Sequence, residues 1–316
     1  MTRYNVLITG GAGYIGSKLV QALADHYQVN KITVYDNLMY KQDGLFSLLA
    51  NPKINFVYGD VREEKKLNNY VQEADVIIPL AAIVGFPACD KDPDTANKIN
   101  NLHVQFIVKN ARKDTKIIYP NTNSGYGVGE DGVHCTELTP LNPISVYGIT
   151  KCAAEKSVID NGGISFRLAT VFGTSPRFRK DLLVNSFVLK ALTDKYIVLF
   201  ESHFKRNYIH VNDVVKAFIL MIHDYDKYKG EAFNVGLSTA NLSKLELCEK
   251  IKEQIPDFVI TTNEFSQDLD KRNYIVSNDK LEATGWIPDY NLDYGIQELI
   301  KAYPILINTD TKYTNL

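Results

Sequence analysis

Residues 5–16 read "NVLITGGAGYIG", an apolar run that ends in glycines at 10, 13 and 16. The chain then continues as "YIGSKLVQALADHY" (14–27), where Ile15, Leu19 and Leu23 recur at helical spacing. A strand that turns this sharply into a helix is the start of a strand–helix unit. Gly10 permits the tight turn, Gly13 lets the backbone approach a pyrophosphate, and Gly16 lets the helix pack close to the strand; Tyr14 and Ile15 complete the loop. The first N–H groups of the helix and the positive end of its dipole would then face the phosphates. Glycine spacing alone also suits a structural turn. Its place between a strand and an amphipathic helix is the context that makes it a dinucleotide site.

The first half repeats this alternation. "KITVYD" (31–36), "INFVYGD" (54–60), "ADVIIPLAA" (74–82), "KIIYPN" (116–121) and "ISFRLAT" (164–170) are nearly continuous in hydrophobicity, as strands covered on both faces are. Between the fourth and fifth, "DTANKINNLHVQFIVKNARK" places Ile99, Leu102, Phe106 and Ile107 on one helical face. The expected class is α/β, a doubly wound parallel sheet of the Rossmann type. Past about residue 170 the texture changes, but "RNYIHVNDVVKAFILMIHD" (206–224) and "EAFNVG" (231–236) return to strands and a helix. The expected organisation is a nucleotide-binding domain of residues 1–170 plus about 206–235. A smaller domain would take about 171–205 and 236–316.

With 316 residues the chain is long enough for real cores. Its net charge of −2 carries no electrostatic footprint for nucleic acid. No apolar stretch approaches the length of a membrane span, and no charged leader is evident. The four cysteines form no C-x-x-C pair. A cytoplasmic protein with reduced thiols, no membrane and no metal is expected.

Asp36 ends the second strand, about twenty residues past the glycines. A carboxylate there accepts both ribose hydroxyls and repels a 2′-phosphate. Asn37 and Leu38 follow, where a phosphate reader would carry Arg, so NAD(H) is expected over NADP(H); Lys41 is the one nearby residue that argues the other way.

"SVYGITK" sets Tyr147 and Lys151 at i and i+4, on one helix face. A lysine so placed can stabilise a phenolate that takes a proton from a sugar hydroxyl. The spacing recurs at Tyr14–Lys18, Tyr27–Lys31 and Tyr225–Lys229. Only Tyr147 follows a strand end rich in small hydroxyls, "YPNTNSGYGVG" (119–129), at the carboxyl edge where such sheets bind ligands.

Together "TGGAGYIG", "GDV" (59–61), "LAA" (80–82), "YGITK" and "RNYIHVNDV" resemble the extended short-chain dehydrogenases that act on nucleotide sugars. The resemblance covers nearly the whole chain. It implies NAD(H) as cofactor, a nucleotide-sugar substrate, and often a homodimer built through paired helices. By position it implies that Asp60 and Val61 border the adenine. Leu80, Ala81 and Ala82 would line the cofactor cleft, and Asn100 would support the active-site backbone. Tyr147 would be the base and Lys151 its partner, with Lys151 also on the nicotinamide ribose. Thr122, four residues before a Tyr-Gly pair, would be the catalytic hydroxyl; Asn123 and Ser124 would sit near the sugar. Asn185 would contact the substrate's phosphates or sugar, and Arg206 and Arg272 would clamp its diphosphate, which a guanidinium fork suits. Arg177 and Arg179 are weaker candidates that a solvated loop also explains. Val84 and Gly85, in "AAIVGFPACDKDP" (81–93), would cover the sugar. Cys89 there, His103 and His210 read as packing residues, and Trp286 as a structural anchor.

Dehydratases of this family place Asp-Glu directly after the catalytic Thr, where this chain has Asn123 and Ser124. That argues against 4,6-dehydration. A 4-epimerase, a 4-dehydrogenase and a 4-ketoreductase remain, because their catalytic residues are the same. "NTNSGYG" and "SPRFRKDLLVN" resemble the GDP-heptose 4-dehydrogenases of bacterial capsule synthesis more than the UDP-galactose epimerases. A non-catalytic NAD-binding scaffold on this fold is the alternative of another class, but such proteins usually lose the Tyr or the Lys.

Overall fold

The computed structural model describes residues 3–26, 28–263 and 272–307. Seven parallel strands form the central sheet: β1 (Tyr4–Thr9), β2 (Val29–Asp36), β3 (Ile54–Tyr58), β4 (Val76–Pro79), β5 (Lys116–Thr122), then Ile164–Leu168 and Ala232–Val235. Across the sheet they run Ala232–Val235, Ile164–Leu168, β5, β4, β1, β2, β3. Every neighbouring pair is parallel. The order reverses between β1 and β4, so the loops leaving their carboxyl ends diverge and open a crevice.

Strand alternation divides the core. Val6, Ile8, Val76, Ile78 and Ile118 face one buried cluster, and Leu7, Ile77, Ile117 and Tyr119 face the other. The second side is covered by the helices Glu64–Glu73, His103–Asn110 and Val146–Asp160. The first side carries α1 (Tyr14–Ala24) and the Val211–His223 helix, and its cluster runs on without a break into C-terminal residues such as Leu247, Trp286 and Leu299. Among the described residues, three shorter sheets lie beyond. The largest joins Thr170–Phe172, Lys205–His210 and Asn241–Ser243.

Two helices depart from the sequence expectation. α1 ends at Ala24, and Tyr27, expected from sequence as its last residue, lies outside the described residues. The single helix expected over 94–113 is a short helix Pro93–Asn97, a π-helical turn Lys98–Leu102 and a helix His103–Asn110. The wider turn rotates the faces out of step. Ile99 and Ile107 stay buried, while Leu102 is turned out to 43% exposure.

Candidate active site

The glycines at the end of β1 are required by close contacts. Gly10 has φ +69°, and a Cβ there would stand 2.5 Å from the Ala81 nitrogen. A Cβ on Gly16 would stand 2.6 Å from Gly11 Cα, so α1 could not lie so close to the turn. Gly13 caps α1 in extended backbone with no side-chain cap, leaving the first turn's N–H groups for a ligand.

Asp36 is 6% exposed. Its Oδ2 accepts the Ala12 N–H at 3.0 Å; its Oδ1 accepts the Leu38 N–H at 2.8 Å and the Gln42 amide at 3.2 Å. Burial raises its pKa, against partial opposition from the Leu38 and Ala12 N–H groups and the Arg177 charge. Asp60 is gripped by the Arg62 fork at 2.8 Å on each oxygen and accepts the Asn37 amide at 3.1 Å. Chiefly through those Arg62 hydrogen bonds it is held down to about 2.

These residues line one cleft of about 490 Å³. Gly10, Gly13, Tyr14, Ile15 and Gly16 line it with Asp36, Asn37, Asp60 and Val61. From the loop after β4 come Leu80, Ala81, Ala82, Val84 and Gly85, and from the end of β5 and the next helix Thr122, Ser124, Tyr147 and Lys151. Arg206 and Arg272 line it too.

At the end of β5, Thr122 Oγ1 accepts the Ser124 N–H at 3.1 Å and so starts the 3₁₀ turn Asn123–Tyr126. The same hydroxyl donates to Ser124 Oγ at 3.0 Å, and Arg272 Nη1 donates to that Ser124 oxygen. Tyr147 and Lys151 sit one turn apart on the Val146–Asp160 helix, which Ser145 caps through the Gly148 N–H. Burial pushes the Tyr147 phenol up to about 12, while Arg272, Arg179 and a hydrogen bond with Thr122 oppose it. Burial pushes the Lys151 ammonium down to about 7. Its Nζ lies 4.2 Å from the centre of the Tyr119 ring.

Three expected contacts lie behind the cleft wall. Asn100, in the π-helical turn, clamps Ile83: its Oδ1 accepts the Ile83 N–H at 2.8 Å and its Nδ2 donates to the Ile83 carbonyl at 3.0 Å. Asn123 is 1% exposed and does not line the cleft. Asn185 is fully buried; its amide bonds Gly173 N at 3.2 Å and the Arg179 carbonyl at 2.9 Å, holding the loop rather than facing the cleft. That loop is no solvated segment. Tyr14 Oη donates to the Gly173 carbonyl at 2.8 Å, Ser175 Oγ to the Tyr14 carbonyl at 2.6 Å, and Arg177 N–H to Ser17 Oγ at 3.2 Å. Arg177 and Arg179 both line the cleft, and Arg177 is 3% exposed.

Cys89 packs as the sequence suggested, while Lys244, Tyr40 and Gln42 were not foreseen. Cys89 is fully buried beside the site, donating to the Ile83 carbonyl at 3.2 Å, so it helps hold the same loop as Asn100. Lys244, Tyr40 and Gln42 line the cleft from outside any motif. His103 and His210 have the packing roles expected: His103 Nδ1 bonds the Ile99 carbonyl, and His210 Nε2 meets Glu298 at 3.0 Å. Trp286 is in the core at 2% exposure.

A model of the NAD dependent epimerase/dehydratase family matches residues 6–236. The chain belongs to this family. It is an enzyme of this NAD-dependent family, and its cofactor is NAD. Among curated relatives, the low-salt glycan biosynthesis protein Agl12 of Haloferax volcanii is 29% identical over 313 residues, spanning 95% of this chain and 98% of that one. The UDP-glucose 4-epimerase of Thermotoga maritima, solved with UDP-glucose, superposes with a TM-score of 0.83 at 23% identity, over 96% of this chain and 100% of that one. A dTDP-glucose 4,6-dehydratase from Bacillus anthracis, solved with NAD, gives 0.81 at 23% over 98% of both. At such identities the two structures speak for the fold. Within the family fold, the glycine turn whose Cβ positions are filled, the uncapped α1 and Asp36 fit a dinucleotide. Among the described residues no helix is long and apolar enough to cross a membrane, and no cluster of potential metal ligands occurs.

Proposed function

We propose that this enzyme oxidises the C4 hydroxyl of a nucleotide-linked sugar to a 4-keto sugar, as a 4-dehydrogenase with GDP-heptose as its first candidate substrate. The observation that carries the oxidation is the convergence of Thr122, Tyr147 and Lys151 on one cleft, with Asn123 and Ser124 where a dehydratase needs carboxyl groups. The choice of sugar nucleotide rests on sequence resemblance.

NAD bound in the cleft supplies the hydride acceptor and, when oxidised, a positive charge that favours a phenolate at Tyr147. Residues 10–16 would hold its phosphates and Asp36 its adenosine ribose. Tyr147 takes the proton of the C4 hydroxyl, which readies C4 for oxidation by the nicotinamide that the cleft would hold. Thr122 steadies that oxygen, Lys151 favours the phenolate and holds the nicotinamide ribose, and Arg206 and Arg272 bind the substrate's diphosphate. In this reading residues 1–170 with about 206–235 form the NAD unit, residues 171–205 and 236–316 bind the sugar nucleotide, and the enzyme works as a homodimer.

A 4-epimerase is the second reading. The hydrogen bonds that pin residues 173–177 across the first turn of α1 favour it, because an enzyme that returns the hydride reuses its cofactor in place. Incubation with GDP-, UDP- and dTDP-sugars, followed by mass spectrometry and NMR of the products, tests both. A released 4-keto sugar with stoichiometric NADH supports the dehydrogenase, and an inverted C4 with no net redox change supports the epimerase. Turnover of Tyr147→Phe at the wild-type rate would overturn both.

A further inference from the structure

Lys151 is 4% exposed, yet among the described residues its ammonium makes no ion pair and no hydrogen bond. A buried ammonium without a partner is costly. What it does meet is the face of Tyr119, 4.2 Å from the ring centre. Tyr119 lies on β5, three residues before Thr122, and is fully buried. Its hydroxyl points to the Lys151 carbonyl at 3.3 Å and the Asn100 carbonyl at 3.4 Å, which fixes the ring plane. The strand carrying the catalytic hydroxyl thus also carries an aromatic platform beneath the catalytic lysine.

We propose that Tyr119 is a positioning residue: its ring face holds the Lys151 ammonium charged and aimed at Tyr147, and so sets the pH at which Tyr147 becomes a base. The inference rests on the reading of Tyr147 and Lys151 given above. A desolvated ammonium over an aromatic face is held by the ring quadrupole, and the contact strengthens as water is excluded. The other titratable groups around Lys151 are Tyr147, Cys152 and Glu155 on its own helix, Cys89 on the Phe86–Lys91 helix, and His103 on the His103–Asn110 helix. Glu155 is the one carboxylate among them, and it is committed to Arg167, Asn121 and Ser165.

Three kinds of variant separate the ring from its hydroxyl. Tyr119→Phe keeps the face and removes the hydroxyl, and Tyr119→Leu removes both. Difluoro- and trifluorophenylalanine at position 119 keep the shape and weaken the quadrupole, which covers the case in which the Leu variant does not fold. Two quantities are read: the Lys151 titration, by NMR of isotope-labelled lysine assigned with Lys151→Arg, and the acid limb of kcat. In the Leu and fluorinated variants the Lys151 titration is expected to fall by about one unit, a roughly tenfold loss of ammonium population. The kcat limb is expected to move to higher pH, with KM for the nucleotide sugar within about twofold; the Phe variant should match wild type. A shift in Tyr119→Phe equal to that in the Leu variant, or no shift along the fluorinated series, overturns the proposal. Full activity in Tyr147→Phe would instead overturn the reading of the reaction, and the Lys151 titration would still report on the ring contact.

Discussion

Glu155 and Arg167 form an ion pair inside the protein, Oε1 to Nη2 at 2.8 Å, with both side chains less than a tenth exposed. Glu155 also accepts the Asn121 amide and the Ser165 hydroxyl, each at 2.7 Å, and Arg167 donates to Tyr126 Oη and the Glu137 carbonyl at 3.1 Å. The pair joins the catalytic helix to β5 and to the next strand. Removing one partner strands the other charge. Glu155→Ala should therefore cost about 3–5 kcal/mol of stability, read by chemical denaturation. A loss below about 1 kcal/mol would show that the pair does not hold these elements together.

Gly10 is the second test. Its left-handed backbone, and the 2.5 Å at which a Cβ would stand from Ala81 nitrogen, leave no room for a methyl group. Gly10→Ala should lower NAD affinity by at least about tenfold and cost roughly 1–3 kcal/mol of stability. Calorimetric titration with NAD measures the first and thermal unfolding the second. Unchanged affinity would remove Gly10 from the cofactor turn.

Thr122 and Ser124 make different predictions although their hydroxyls touch. Thr122→Ala should lower kcat by about a hundredfold with little change in KM, and Thr122→Ser should restore most of it. Ser124→Ala, which loses a hydroxyl that Arg272 holds, should act mainly on KM. Steady-state kinetics with the identified sugar nucleotide decide it; a larger kcat loss for Ser124→Ala would exchange their roles.

Lys151 gives a pH signature. Its folded pKa of about 7 lies below the unfolded value of ~10.4. Between those values the unfolded chain binds the extra proton, so stability rises with pH across that window. Below about pH 7 both states are protonated and the burial cost is felt in full. Lys151→Met should abolish turnover yet raise the cofactor-free melting temperature at neutral pH. The stability difference between variant and wild type should shrink as pH rises towards 10. A difference that stays flat with pH would place the Lys151 titration elsewhere.

The sheet was legible in the sequence because its strands are continuous apolar runs and its first turn is set by three glycines. The cofactor turn, Asp36 and the Tyr147–Lys151 spacing are local signals of the same kind. The support beneath them is not local. Tyr119 and Lys151 are 32 residues apart, Asn121 and Glu155 are 34 apart, and no period links them. The Val146–Asp160 helix turns Thr150, Lys151 and Glu155 inward beside Ala154 and Val158, so polar residues occupy what a hydrophobic pattern would read as its outer face. Leu102 misled for a related reason: a π-helical turn changes the phase of the helix, and composition does not announce it. Asn185 was recognisable as important, but only its contacts with Gly173 and Arg179 place it behind the wall.

The bonds from Tyr14 and Ser17 to residues 173–177 bear on how this chain could be recombined. Gly44 adds to them, since a Cβ there would stand 2.5 Å from Pro176. A crossover near residue 170 would look natural in a linear alignment, because the sheet strand ends there. It would separate a loop from the helix turn that shapes it, although the two lie some 160 positions apart. A graft meant to bring a new sugar specificity in residues 171–205 would have to bring residues 14–17 and 40–44 with it.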